Sequence, residues 1–161
     1  MIFDVDGVLT DGTLLYGPGG EELKRFSAHD GHGLKMLMAS GVDCALLSGR
    51  RCAAVAARAA ELGIETVFQG IEDKLEVFQQ LIARQRLTVP QPGYMGDELV
   101  DLPVLTRCGF ACAPREAPEA LRRRVHYVAT AAAGRGAVRE VCELVMRAQS
   151  TFEQALAKYL S

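Results

Sequence analysis

Short apolar runs alternating with amphipathic helical segments predict an α/β fold, with a mostly parallel sheet covered by helices on both faces. Two further observations support that class. Polar residues collect directly after successive apolar runs, which is where such sheets place their chemistry. The chain has 161 residues, 49% of them hydrophobic and 24% charged, the size and composition of a single globular domain with a real core.

The elements follow in order. Met1–Val5 reads as a buried strand with nothing in front of it, and a domain seldom starts inside its core strand, so a further segment ahead of Met1 is expected. Thr13–Tyr16 and Leu23–Ser27 flank Gly17-Pro18-Gly19-Gly20 and predict a protruding β-hairpin, an insert spanning about residues 13–27. Gly33–Ser40 carries Leu34, Met36, Leu37 and Met38 and reads as a helix ended by Gly41. Asp43–Leu47 is an apolar strand, followed by an alanine-rich helix over Cys52–Leu62 that Gly63 stops. Thr66–Gln69 is a short strand, and Leu75–Arg86 is a helix with Leu75, Phe78, Leu81 and Ile82 on one face. Gly93–Met95 and Gly109–Ala113 are strands with a brief helix between them. Val125–Ala129 is the last strand and Gly136–Gln149 the last helix, leaving about 150–161 as a tail.

Composition excludes several classes of function. Eighteen basic against twenty acidic side chains give a net charge of -2, which offers nothing to neutralise a nucleic-acid backbone. No apolar run approaches the length of a membrane span, and no signal segment opens the chain. The five cysteines form no CxxC pair, and Cys108 and Cys112 have no nearby histidine to complete a zinc site. Buried thiols in a reducing cytoplasm are the expectation. Arg122-Arg123-Arg124 reads as a solvated helix face, and His29 as an exposed loop residue.

Four groups of residues stand at successive strand ends: Asp4 and Asp6, then Ser48-Gly49-Arg50, then Lys74, then Asp97 with Asp101. Each has an ordinary structural explanation when taken alone. Ser48 could cap a helix, Asp97 and Asp101 could do the same, and Lys74 could lie in solvent. Together they would converge on one edge of the sheet, and their chemistry is coherent there. A carboxylate can attack phosphorus and become an aspartyl-phosphate. A cation must screen it from the phosphoryl oxygens, and two carboxylates suit Mg²⁺. Lys74 and Ser48 would hold those oxygens, and Asp6 would pass a proton to the leaving group and take one from water.

The segments Asp4-Val5-Asp6-Gly7-Val8-Leu9-Thr10-Asp11-Gly12, Leu46–Arg50, Lys74 and Gly96–Asp101 resemble the four motifs of the haloacid dehalogenase superfamily of phosphatases. Gly20–Phe26, Asp30-Gly31 and Gly134–Cys142 narrow the resemblance to its branch acting on 3-deoxy-D-manno-octulosonate 8-phosphate (KDO 8-phosphate), a sugar acid of lipopolysaccharide precursor synthesis. The resemblance runs from residue 1 to about Gln149. It implies a doubly wound, Rossmann-like domain without a separate cap, Mg²⁺ dependence and a homotetramer. Carried over residue by residue, it makes Asp4 the nucleophile and a metal ligand. Asp6 becomes the acid/base and lends its carbonyl to the metal, and Asp97 supplies a further carboxylate. Ser48 and Lys74 bind phosphate, and Asp101 stands behind them, orienting Lys74 or a metal-bound water. Substrate contacts fall on Ser27, Ala28, His29, Asp30, Gly31, Lys35, Arg50 and Arg58, the arginines suiting a carboxylate through their planar fork.

The sequence departs from that pattern at Ser27-Ala28-His29-Asp30, at Lys35 and at Glu98, positions that bear on the sugar more than on the phosphoryl group. A sialic acid or deaminated sialic acid 9-phosphate is therefore the alternative substrate. A non-catalytic tetramerisation module is the alternative of another class, and the presence of Asp4, Asp6, Lys74 and Asp97 together weighs against it. A phosphomutase needs a cap, and neither Asp6–Ser48 nor Lys74–Asp97 leaves room for one.

Overall fold

The computed structural model describes residues 1–160. The apolar pair Ile2 and Phe3 forms the central strand β1 (Ile2–Phe3). After it come the hairpin strands β2 (Leu15–Tyr16) and β3 (Glu22–Leu23), then α1 (Ala28–Ala39), β4 (Ala45–Ser48), α2 (Ala53–Leu62) and β5 (Thr66–Gln69). The second half holds α3 (Lys74–Arg84), β6 (Gly93–Met95), α4 (Leu102–Leu105), β7 (Phe110–Ala113), α5 (Glu119–Arg122), β8 (Tyr127–Val128), α6 (Ala137–Ala148) and α7 (Phe152–Ala157).

Six strands form one sheet in the order β5-β4-β1-β6-β7-β8, and every pairing in it is parallel. The chain winds outward from β1 through β4 to β5, then returns to the other side of β1 and winds out through β6. The order therefore reverses at β1, with Ile2 opposite Ala45 on one side and Tyr94 on the other. A crevice opens beyond the carboxyl end of a strand at such a point. This is the expected doubly wound architecture.

Alternate strand residues serve opposite faces. Phe3, Leu46, Met95 and Cys112 pack with Leu34 and Leu37 of α1, Val55 of α2, Val138 and Val141 of α6 and Phe152 of α7. Ile2, Leu47, Tyr94 and Ala111 pack with Phe78 of α3, Val104 and Leu105 of α4 and Leu121 of α5. Helices α1 and α6 cross closely: a Cβ on Gly33 would lie 3.0 Å from the Arg139 Cα and 2.8 Å from its Cδ. The strap between them is a carboxylate bonded to backbone amides. Asp30, 1% exposed, accepts hydrogen bonds from Gly136 N–H at 3.2 Å and Arg139 N–H at 2.8 Å, capping α6 from the first turn of α1.

Strands β1 and β8 are shorter than the expected Met1–Val5 and Val125–Ala129, and three further elements differ more from the sequence reading. Helix α1 begins at Ala28 rather than Gly33, because the Ser27 hydroxyl accepts the Asp30 N–H at 3.2 Å and starts the helix earlier. The hairpin is shorter than expected, with Leu15 opposite Leu23 and Tyr16 opposite Glu22. Part of the expected tail is helix α7, whose Phe152 lies under the Arg147 guanidinium, 3.6 Å from its ring centre. Among the described residues, no helix is long and apolar enough to cross a membrane.

Candidate active site

At the end of β1 the Asp4 N–H donates to Met95 O at 2.9 Å, which ties this residue to the neighbouring strand β6. The chain then turns widely over Val5–Leu9, closed by a hydrogen bond from Thr10 N–H to Val5 O at 3.0 Å. Gly7 sits in that turn with φ at +79°, and a Cβ there would lie 2.0 Å from Asp97 Oδ2. Glycine is required on both counts. The turn thus brings Asp97, at the end of β6, against the residues that follow β1.

Asp4 is buried, its Oδ1 accepting the Val5 N–H at 2.7 Å and its Oδ2 lying 2.9 Å from Lys74 Nζ. Lys74 opens α3, behind the Asp73 cap, and its Nζ also donates to Asp101 Oδ1 at 2.7 Å. Asp101 is fully buried and fully used. Its Oδ1 also takes the Tyr94 hydroxyl at 2.7 Å, and its Oδ2 accepts the N–H groups of Asp97 at 3.1 Å and Glu98 at 3.2 Å.

One oxygen each from Asp4, Asp97 and Asp101 lie within 4.8 Å of one another. Lys74 is the cation among them, and it does not balance three carboxylates. Asp97 Oδ1 is buried with no hydrogen-bond partner. Burial first, then the charges of Asp4 and Asp101, pushes the Asp97 carboxyl well above its ordinary range. Burial likewise raises Asp4, against the pull of Lys74. An orphaned hard oxygen in an anionic, partly dry pocket fits a small divalent cation, and this donor set fits Mg²⁺.

Asp4, Lys74 and Asp97 face a cleft of about 280 Å³, also lined by Asp6, Gly49 and Arg50 among others, with Asp101 behind it. The carboxylate of Asp6 stands outside the three-carboxylate cluster, which leaves its backbone carbonyl as the atom it would offer a metal. Its Oδ1 takes a hydrogen bond from Lys24 of the hairpin, and its Oδ2 is buried without a partner. Burial disfavours the charge on Lys24, but Asp6 and Glu22 outweigh it and hold the ammonium above its ordinary range. Ser48 ends β4 rather than capping a helix, and its hydroxyl accepts the Arg50 N–H at 3.2 Å.

The expected substrate contacts divide into two groups. Arg50 lines the cleft, its guanidinium on Glu22 at 3.1 Å and near the Tyr16 hydroxyl at 3.4 Å. Ser27, Ala28, His29, Asp30, Gly31, Lys35 and Arg58 do not line it. Arg58 donates to Ser27 O at 3.2 Å, pairs with Glu61 at 2.7 Å and packs against Gly31, while Ala28, His29 and Lys35 lie exposed on α1. Asp30 is engaged inside the fold: each of its oxygens accepts one backbone N–H at the start of α6, which ties α1 to α6.

Three residues escaped the sequence reading. Tyr94 gave one signal, a phenol inside a buried apolar strand whose hydroxyl needs a partner. Lys24 stood within the Gly20–Phe26 segment of the resemblance, but nothing there marked its partner, because Asp6 belongs to a different element. Arg135, in the turn before α6, lines a second cleft of about 310 Å³ that shares Gly12, Asp97 and Glu98 with the first.

The chain matches no family model. It is 43% identical to the 3-deoxy-D-manno-octulosonate 8-phosphate phosphatase of Yersinia pestis over 155 residues, 96% of this chain and 83% of that one. Identity to the enzyme of the same name from Escherichia coli K12 is 41%, over 96% of this chain and 82% of the relative. Among solved structures, it resembles the 3-deoxy-D-manno-octulosonate 8-phosphate phosphatase of Moraxella catarrhalis in complex with magnesium ion, phosphate ion and KDO. The TM-score is 0.96 at 39% identity, covering 98% of this chain and 91% of that one.

Proposed function

Because the chain belongs to the 3-deoxy-D-manno-octulosonate 8-phosphate phosphatases of the haloacid dehalogenase superfamily, we propose that it hydrolyses this ester at the β1 crevice. One observation carries the assignment to the site. Asp4 ends the central strand at the point where strand order reverses, with Lys74 Nζ 2.9 Å away and Asp97 beside it holding an unpartnered oxygen.

The reaction then runs in two displacements. An Asp4 carboxylate oxygen attacks phosphorus, the phosphorus–oxygen ester bond breaks, and the sugar oxygen leaves with a proton from Asp6. A water then attacks the aspartyl-phosphate, Asp6 takes its proton, and Asp4 and inorganic phosphate are released. Lys74 and Ser48 hold the phosphoryl oxygens, while Asp101 and Tyr94 fix Lys74 in place. Asp4, Asp97 and the Asp6 carbonyl would hold Mg²⁺, which supplies screening of the negative charge that gathers on the phosphoryl oxygens.

The test is phosphate release from KDO 8-phosphate set against 9-phosphorylated sialic acids. Preference for the octulosonate is expected, and preference for a nine-carbon acid would reassign the substrate while keeping the chemistry.

The working form is a homotetramer in the cytoplasm. The hairpin exposes Leu15 (43%), Tyr16 (60%) and Leu23 (48%), an apolar ribbon that a second copy would cover. All five cysteines are free, which suits a reducing compartment. Ser27, Ala28, His29, Gly31, Lys35 and Arg58 lie apart from their own cleft, which supports a site completed across subunits. Light scattering tests the assembly: a monomer at working concentration would overturn it.

A further inference from the structure

Lys24 is out of character for its place. It follows β3 in a hairpin whose apolar residues face solvent, yet its side chain is only 2% exposed. Lysine is rarely buried unless paired, and ordering its long chain carries an entropic cost. The ammonium turns inward to two carboxylates, Asp6 Oδ1 and Glu22 Oε1, the latter at 2.6 Å. Glu22 passes the contact on to the Arg50 guanidinium at 3.1 Å. Charges of alternating sign therefore run from the turn after β1 to the wall of the cleft.

The consequence lies at Asp6. Its residue sits at a non-helical point of the wide turn, and among the described residues Lys24 is the one hydrogen-bond donor to its carboxylate. One oxygen is pinned and the other is buried and bare. A carboxylate free to rotate would offer either oxygen in many orientations, whereas proton transfer needs one oxygen within hydrogen-bond reach of the reacting atom.

We propose that Lys24 is a positioning residue for the proton-transfer step: by holding Asp6 Oδ1 it aims Oδ2 at the leaving oxygen and, later, at the attacking water. The inference rests on the reading of Asp6 as the acid/base. Lys24 itself gains and loses no proton in it. The proton moves from Oδ2 to the departing sugar oxygen as the ester bond breaks, and returns to Oδ2 from water as phosphate forms.

A residue that acts through Asp6 costs little once Asp6 is disabled, which a double-mutant cycle reads directly. Turnover is measured on KDO 8-phosphate for the full chain, Lys24→Met, Asp6→Asn and the pair. Lys24→Met is expected to lower kcat on the order of 10²-fold in the native background, within the usual worth of proton transfer, and by only a few-fold when added to Asp6→Asn. Lys24→Arg should recover most of the loss. On 4-nitrophenyl phosphate, whose leaving oxygen needs no proton, Lys24→Met should lower kcat/KM far less than on the sugar ester. Equal losses in both backgrounds, or on both substrates, would overturn the proposal and make Lys24 a hairpin pin or a phosphate contact. Should Lys24→Met fail to fold, Lys24→Gln keeps a polar end with a donor on a side chain one atom shorter, and the same cycle is read at smaller size. If the native chain ignores KDO 8-phosphate but cleaves another alkyl phosphate, the substrate reading fails, and the cycle run on that ester still decides the role of Lys24.

Discussion

Tyr94 and Lys74 donate to the same atom: the phenol and the ammonium each lie 2.7 Å from Asp101 Oδ1. One oxygen thus joins the middle of β6 to the start of α3, directly behind the Asp4 carboxylate. Tyr94→Phe removes one of these two donors and leaves the ring packing intact. Unfolding in urea should show a loss of about 1.5–3 kcal/mol, the range for a hydrogen bond to a charged group. A change within experimental error would mean that Lys74 alone satisfies that oxygen.

Asp4→Asn should abolish phosphate release while the protein remains folded. The amide keeps the size of the side chain in its buried place, but it is not a nucleophile toward phosphorus. Circular dichroism would report the fold, and any retained turnover would remove Asp4 from the nucleophile role.

Mg²⁺ should raise the unfolding temperature as well as support activity. A ligand that binds only the native state stabilises it by about 2.7 kcal/mol at a hundredfold excess over its Kd. Asp97→Asn should abolish that thermal shift, since it alters the carboxylate with the unpartnered oxygen. A shift that persists in this variant would locate the ion elsewhere.

Asp30→Ala should destabilise the protein without altering substrate affinity. It unfastens the first turn of α6, where two backbone N–H groups would be left facing a cavity. The expected loss is about 2–4 kcal/mol, from two charge-assisted bonds and a helix cap. A raised KM with unchanged stability would return Asp30 to the substrate site.

Glu140 gives a pH dependence whose sign is fixed by its partners. Burial works to raise its carboxyl, but the Tyr127 hydroxyl, the N–H groups of Thr130 and Ala131 and the Thr130 hydroxyl outweigh it, and the net effect is a lowered pKa. A carboxyl lowered on folding stabilises the native state above its unfolded value of 4.5 and loses that contribution as pH falls through the lower folded value. The stability gap between the native chain and Glu140→Gln should therefore be full at neutral pH and close in acid. Urea midpoints across that range would read it, and a gap that widens in acid would contradict the assignment.

Much of this was written in short stretches of chain. The strands β5 and β6 have the limits their apolar runs suggest, and Gly63 ends α2 with φ at +79° as a helix-stopping glycine should. Lys74 was legible as the start of a helix, and Asp4, Asp97 and Ser48 as residues at strand ends. What was hidden depends on partners far away in sequence. The first turn of α1, Ala28-His29-Asp30-Gly31, has no apolar periodicity, and it is held by a contact to Arg139 across 109 residues. The partner of Lys24 was not legible, because only the folded turn after β1 brings Asp6 to it. Helix α7 shows a faint signal in Phe152, Ala155 and Leu156, too short for periodicity alone to distinguish from a tail.

The strand order also bears on how the molecule acquires its activity. Phe3 pairs with Leu46 on one side and Met95 on the other, so β1 is stitched to two halves of the chain that meet nowhere else in the sheet. The first half alone would carry Asp4, Asp6 and Ser48, and it would lack Lys74, Asp97 and Asp101. Closing such distant pairings is slow, because loop entropy is lost before the contacts repay it. Refolding from denaturant should therefore restore helical signal early and phosphatase activity only in the slowest phase, when both halves have docked on a strand two residues long.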